Sequence, residues 1–188
     1  MMPVIDPVAS HAIAGAVALV LAVGAGSKFV DLDGFAWAVE RYRLVPPGAA
    51  RLLGLVLPVV EALAAILLIV PAARGAGAAL GAALVAIVTA AVVINLLRGH
   101  TDIDCGCGGS SHRQRLRWWI VVRNSALLAG CLLASLPVSS RAPVWLDAFT
   151  ATFAAAALWL VWAAADELFS DPQRWSSQPD RLQTPESR

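Results

Sequence analysis

Long stretches without any charged side chain constrain the fold of this chain more than any other feature of its sequence. They cover residues 7–27, 52–60, 62–73, 75–97, 124–140 and 148–165. Several of them approach the roughly 20 residues that a helix needs to cross a hydrocarbon core about 30 Å thick. Because lipid offers no hydrogen-bond partners, the backbone amides of each stretch must be satisfied within the stretch, which requires helices.

The sequence therefore predicts an all-α, polytopic integral membrane helix bundle with five transmembrane helices, or four as the alternative. The helices are expected at about 8–28, 50–71, 76–97, 118–138 and 145–165. Only 14% of the residues are charged and 59% are hydrophobic, whereas soluble domains carry about 25% charged residues. We expect a transmembrane domain over 1–168 and a disordered tail over 169–188, which is polar and interrupted by proline. Nothing indicates a nucleic-acid-binding surface.

The placement of lysine and arginine predicts the orientation. With five spans, the first and third loops and the tail share one side and carry eleven of these residues, while the second and fourth loops carry only Arg74 and Arg141. The positive-inside rule assigns the richer side to the cytoplasm. We expect a multi-pass protein of the bacterial plasma (inner) membrane, with its N-terminus outside and its tail and third loop in the cytoplasm.

Two cysteines, Cys105 and Cys107, are separated by one glycine in that third loop. Gly106, Gly108 and Gly109 leave their sulfur atoms unshielded and allow a tight turn. A disulfide between them would close a small ring, and departure from relaxed geometry makes such a bond easier to reduce. A purely structural disulfide is disfavoured in the cytoplasm. The pattern favours dithiol redox exchange, with a metal site or a structural pair as alternatives.

The metal alternative has a definite ligand set. His100, Cys105, Cys107 and His112 form a symmetric His-x4-Cys-x-Cys-x4-His pattern, whose donors suit Zn(II) or Cu(I). The spacing matches no common zinc module. The third cysteine, Cys131, lies roughly 20 Å along the fourth predicted helix, where we expect it to be a small buried side chain.

Ionisable residues inside the predicted spans form a second group of candidates. Lys28 ends the first span, Glu61 interrupts the second, and Arg123 lies about one turn into the fourth. Such groups are costly in lipid, so they usually pair with one another or line a wet cavity. We expect Glu61 to be deepest and to pair with Lys28 or Arg123 in a polar pocket. Asn95, Asn124, Asp166 and Glu167 map to the same half of the bilayer as the cysteine loop.

These residues resemble the MauE family of methylamine-utilisation membrane proteins, which is related to the DoxX-like proteins. The similar segments are Gly24-x3-Lys28, 42–46 (YRLVP), Pro58-x2-Glu61, 95–99 (NLLRG) and 103–109 (IDCGCGG). The resemblance implies a thiol-disulfide redox or maturation protein that supports disulfide formation or cofactor maturation of an extracytoplasmic protein, methylamine dehydrogenase in the namesake system. It further implies a thioredoxin-like partner, with Cys105 and Cys107 as the redox pair. It defines no enzymatic reaction and no cofactor.

Two other functions remain open from the sequence. A non-catalytic assembly factor would use the cysteines only to shape the loop, and a metal or small-molecule carrier would use His100 and His112. The redox function also requires a second relay, because maturation takes place outside while the basic loops place the cysteines inside. Cys131, an external partner or a quinone are the candidates for that relay.

Overall fold

The structure, a computed structural model, describes residues 5–100, 116–139 and 144–170. These residues form α1 (Pro7–Val30), α2 (Leu32–Arg41), α3 (Pro47–Ile69), a 3-10 turn (Pro71–Ala73), α4 (Arg74–Leu97), α5 (Trp118–Ala134) and α6 (Trp145–Ser170). No strand is present in these three ranges. The predicted all-α bundle is confirmed. Cys105, Cys107, His112 and residues 171–188 of the expected tail lie outside the described residues.

Prolines and short polar side chains set the ends of the helices. The Asp6 carboxylate accepts a hydrogen bond from the backbone N–H of Val8 at 2.8 Å, and Pro7 occupies the first turn of α1, where its missing N–H carries no cost. Pro47 begins α3 in the same way. Pro71 follows α3 directly and starts the 3-10 turn that leads into α4.

Four segments are long and apolar enough to cross a membrane. They are Pro7–Val30, Gly48–Ile69, Pro71–Leu97 and Trp145–Phe169. The fifth expected span corresponds to α5, which has 17 residues and so stands at the lower limit of transmembrane helix length. Large apolar side chains on the outer faces of the helices are exposed, such as Leu52, Ile66 and Phe153, as expected for surfaces in contact with lipid.

Helix α1 lies at the centre of the bundle and packs against α3, α5 and α6, while α4 packs against α3 and α5. The core between them consists largely of small or aliphatic side chains, including Ala14, Ala18, Leu21, Ala64 and Leu68. Small residues allow close approach where lipid supplies no hydrophobic force between helices.

Contacts between helix ends define two ends of the bundle. At the first, which we call the Ile5 end, Ile5 forms a parallel bridge with Val138, and its backbone N–H donates to the Pro137 carbonyl at 3.0 Å. Arg74 donates to the Ser10 hydroxyl at 2.9 Å at this same end. The start of α1 thus lies beside the start of α4 and the end of α5, which is the arrangement that a fifth crossing requires.

The opposite end, which we call the Lys28 end, contains the last turns of α1, α4 and α6 and the first turn of α5. Tyr42, Val92, Leu116 and Ile120 form a buried apolar cluster there. The indole ring of Trp119 lies 4.5 Å from the ring of Phe169, centroid to centroid. The residues that flank the cysteine loop, His100 and Leu116, therefore belong to this end.

Helix α2, which the sequence did not predict, occupies the first loop at the Lys28 end. The Asp31 carboxylate begins it by accepting from the backbone N–H of Gly34 at 2.9 Å. It packs against α3, and the guanidinium of Arg41 lies over the exposed Trp37 ring at 4.8 Å from its centroid. After α2 the chain turns at Arg43, whose φ of 51° lies in the left-handed region.

Candidate functional site

A cavity of about 470 Å³ opens among the helices at the Lys28 end. All six helices contribute to its lining, which is mostly apolar. Its polar side chains are those of Ser27, Lys28, Tyr42, Glu61, Arg123, Asn124, Asp166 and Glu167. A cavity of this size with apolar walls and a few converging polar groups is typical of a small-molecule site.

The first ion pair of the cavity joins α1 to α3. Lys28 Nζ lies 2.6 Å from Glu61 Oε2, and the two side chains are only 8% and 13% exposed. Lys28 Nζ also donates to the Gly24 carbonyl at 3.2 Å, and it lies 5.5 Å from the centroid of the Phe35 ring on α2. The ammonium group thus connects three helices from a nearly buried position.

Gly24 creates the space that this pair occupies. A Cβ atom at position 24 would lie 2.7 Å from Glu61 Oε1 and 3.4 Å from Lys28 Nζ. A side chain there would therefore displace the carboxylate. Pro58, one turn before Glu61 in α3, is fully buried and cannot donate the usual helical hydrogen bond.

The second ion pair joins α5 to α6. Arg123 Nη1 donates to both carboxylate oxygens of Asp166 at 3.0 Å, and the indole N–H of Trp119 donates to Asp166 Oδ1 at 3.4 Å. Arg123 Nη2 donates to Asn124 Oδ1 at 3.5 Å. Asn124 itself is 6% exposed.

The structure thus places Lys28, Glu61 and Arg123 on the lining of one cavity, but in two different pairs. Glu61 forms its ion pair with Lys28, one of the two partners suggested by the sequence. Arg123 pairs with Asp166. The sequence indicated Asp166 only as one of two acidic residues closing the last span. Its pairing with Arg123 depends on how α6 is rotated about its axis relative to α5.

Asn95 and His100 lie beside the cysteine loop rather than on the cavity lining. Asn95 is fully buried, and its amide nitrogen donates to the Ala91 carbonyl at 3.0 Å. The backbone N–H of His100 donates to the Asn95 carbonyl at 3.0 Å, and the His100 ring nitrogen Nδ1 lies 3.4 Å from Asn95 Oδ1. Asn95 therefore holds the chain where it leaves α4.

Of the cysteines, only Cys131 lies within the described residues. It is fully buried in the core, and its sulfur would lie 3.3 Å from a Cβ atom at Gly81. It is thus the packed apolar side chain expected from the sequence. Cys105, Cys107 and His112, three members of the suggested metal set, lie outside the described residues. Among those that are described, no three His, Cys, Asp or Glu side chains are grouped to hold a metal ion.

Comparison with known proteins identifies similar sequences. The profile of a family described as methylamine utilisation protein MauE matches residues 6–137. Methylamine utilization protein MauE of Paracoccus denitrificans is 35% identical over 165 residues, which is 87% of this chain and 89% of the relative. The protein of the same name from Paracoccus versutus is 35% identical over 92% of this chain and 93% of its own. That of Methylophilus methylotrophus is 35% identical over 83% of each. No solved structure matches.

Proposed function

The chain belongs to the MauE family of methylamine-utilisation proteins, and we propose that it is a thiol-disulfide redox protein acting in protein maturation. It is a multi-pass membrane protein. In our proposal Cys105 and Cys107 form the redox pair, and the protein that is matured lies outside the cytoplasm. The names of the relatives state only methylamine utilisation.

One observation carries this proposal: the loop with the two cysteines is attached at the end of the bundle that contains the charged cavity. Its first flank is fixed by the hydrogen bonds between His100 and Asn95. Its second flank is fixed by Leu116, which is 1% exposed and packs with Tyr42 and Val92. A 15-residue polar segment held at both ends on a rigid scaffold suits repeated contact with a visiting protein.

The proposed step is disulfide exchange with a thioredoxin-like partner. A thiolate of the partner attacks the Cys105–Cys107 disulfide, and a mixed disulfide forms as one loop thiolate leaves. The second thiolate of the partner then attacks the mixed disulfide and releases the other loop thiol. The partner ends as a disulfide and the loop as two thiols, so two electrons and two protons have moved to the loop.

We further propose that α5 completes a fifth crossing, with the N-terminus outside and the Lys28 end in the cytoplasm. The charge asymmetry that supports this orientation remains when the two buried cations are left out. Lys28 and Arg74 are both 7% exposed, so neither adds to the charge in water. Without them, ten lysine and arginine residues (eleven minus Lys28) lie on the side of the Lys28 end and one (two minus Arg74) on the other side. The positive-inside rule therefore still assigns the Lys28 end to the cytoplasm.

Alkylation trapping tests the redox proposal. The native chain, equilibrated in buffers of graded redox potential, should show a reversible shift of two thiols. Cys105→Ser and Cys107→Ser should each abolish that shift and the ability to restore growth on methylamine to a deletion strain. Cys131→Ala is the matched control and should keep both. Full activity of both serine variants would refute the redox function and favour the non-catalytic assembly factor.

Labelling with a membrane-impermeant maleimide tests the proposed orientation. In intact cells Cys105 and Cys107 should stay unlabelled, and they should react once the inner membrane is permeabilised. Cys131, buried in the core, should stay unlabelled in both conditions unless the protein is denatured. Efficient labelling of the loop cysteines from outside intact cells would reverse the orientation while leaving the redox proposal in place.

A further inference from the structure

We propose that the cavity at the Lys28 end binds a membrane-dissolved quinone, which accepts two electrons from the loop dithiol. This inference rests on the proposed thiol function and identifies the oxidant that it lacks. Four features of the cavity support it: access from lipid, buried hydrogen-bond donors, aromatic walls and size.

The cavity is continuous with the lipid-facing surface of the bundle. Val23 and Ile87 both line it, and both lie within helices long enough to span the membrane. Their side chains are nevertheless 53% and 65% exposed. An apolar molecule dissolved in the bilayer can therefore enter between helices without passing through water.

Two donors in the cavity have capacity for a ligand. Asn124 is 94% buried, its Oδ1 accepts from Arg123, and its Nδ2 makes no hydrogen bond to the described part of the chain. Lys28 uses two of its three N–H groups, on the Gly24 carbonyl and Glu61. The Asn124 amide and the third Lys28 N–H lie on the cavity lining, and such donors favour a ligand with carbonyl oxygens over the hydrocarbon chain of a phospholipid.

The walls fit a flat ring with an apolar tail. Phe35, Trp159 and Trp162 line the cavity and offer faces and edges on which a ring can pack. The volume of about 470 Å³ lies in the range of sites that enclose drug-sized molecules. A quinone ring with the first part of its isoprenoid tail therefore matches the lining both chemically and in size.

The redox step is balanced by this ligand. The two loop thiols lose two protons and two electrons as the Cys105–Cys107 disulfide forms. The quinone takes up both protons and both electrons to become the quinol, which leaves through the bilayer. The disulfide is then available for exchange with the partner, so one quinone is consumed for each disulfide passed on.

Binding is tested with the full-length protein in phosphatidylcholine nanodiscs and decylubiquinone as the probe. Quenching of tryptophan fluorescence should saturate, because Trp159 and Trp162 line the cavity. Ala163 also lines it, whereas its neighbour Ala164 is exposed and does not. Ala163→Phe should abolish saturable quenching and Ala164→Phe should leave it unchanged.

A second pair of variants tests the hydrogen-bond donor that Asn124 supplies to the cavity. Asn124→Leu should weaken decylubiquinone binding roughly three- to tenfold, the effect of one lost buried hydrogen bond. Ser125→Ala is the matched control, since Ser125 is exposed and donates to the Val121 carbonyl of its own helix at 2.8 Å. Its affinity should equal that of the native protein.

Quenching that does not saturate would overturn the inference, and so would quenching that Ala163→Phe and Asn124→Leu leave unchanged. Equal displacement of the probe by a short-chain phospholipid would also overturn it and identify a lipid site.

Failure of the proposed thiol function would give results different from those that overturn the quinone inference. Binding should persist in the Cys105→Ser/Cys107→Ser double variant, because the described lining of the cavity comes from the helices and their short connections. If the native protein binds the quinone and exchanges disulfides but never forms quinol at the expense of loop thiols, only the acceptor role fails. If it binds the quinone but shows no reversible thiol shift, the proposed thiol function fails. If it exchanges disulfides without binding quinone, only the quinone inference fails.

Discussion

Removing Lys28 should destabilise the bundle through the carboxylate that it leaves behind. In Lys28→Met, Glu61 keeps its 13% exposure but loses the ammonium group at 2.6 Å. Removing one partner of a buried pair typically costs about 3–5 kcal/mol. Protonation of the orphaned carboxyl sets an upper limit, because neutralising an ordinary glutamate at pH 7 costs roughly 1.36 × (7.0 − 4.3), or about 3.7 kcal/mol.

The reverse variant should cost less. In Glu61→Gln the remaining Lys28 lies two residues before the end of α1, and its flexible side chain can extend toward the membrane surface. We expect a loss of about 1–2 kcal/mol, and a similar loss for Lys28→Met/Glu61→Gln, which contains no buried charge. The two single variants then sum to about 5 kcal/mol, so the coupling energy of the cycle is about 3–4 kcal/mol.

The free energy of unfolding is measured by titrating sodium dodecyl sulfate into the protein in mild detergent micelles. A coupling energy below about 0.5 kcal/mol would contradict the buried ion pair.

Three further predictions concern the backbone. Gly24→Ala should lower the melting temperature in detergent, because its methyl group would lie 2.7 Å from a carboxylate oxygen of the ion pair; Gly26→Ala, with nothing within 4 Å, should be neutral or stabilising by up to about 1 kcal/mol. Gly77→Ala should cost about 1–3 kcal/mol by SDS titration, since its methyl group would lie 2.6 Å from the backbone of α3, and Gly75→Ala is its control. Arg43→Gly should stabilise by up to about 1 kcal/mol in the same titration, because φ is 51°: the strain relieved is about 1–2 kcal/mol, and the extra backbone entropy of glycine offsets roughly 0.5–1 kcal/mol of it. Equal melting temperatures of Gly24→Ala and Gly26→Ala would contradict the first prediction, and equal stabilities of Gly77→Ala and Gly75→Ala would contradict the second. A loss of stability in Arg43→Gly would contradict the third.

The sequence predicted the long helices well because lipid leaves little choice of secondary structure. Uncharged length alone locates α1, α3, α4 and α6, and their ends follow from Pro7, Pro47 and Pro71. The ends of α5 are less well determined, since the apolar stretch runs past Ala134, where the helix stops, to Pro137. Helix α2 was not predicted because it has only ten residues and an acidic residue in its first turn. By hydropathy alone such a segment cannot be distinguished from a loop.

The pairing of charges could not be predicted from the sequence to the same extent. Hydropathy places Lys28, Glu61 and Arg123 inside the predicted spans, with Glu61 deepest, but does not determine the rotation of each helix about its axis. Small residues decide that rotation, as Gly24 does where it leaves room for Glu61. The distance of 43 residues between Arg123 and Asp166 also exceeds any local pattern. The redox role of Cys105 and Cys107 stays a prediction, since both lie outside the described residues.

The central position of α1 has a consequence for biosynthesis. Helix α1 leaves the ribosome before the three helices α3, α5 and α6 that pack against it, and it enters the bilayer with a lysine whose carboxylate partner follows 33 residues later. At about 5–20 residues per second, that interval lasts roughly 2–7 s. The arginine of α5 waits longer, because its partner is translated 43 residues later. During synthesis Lys28 therefore lacks its carboxylate until α3 follows, and Arg123 lacks its own until α6 follows.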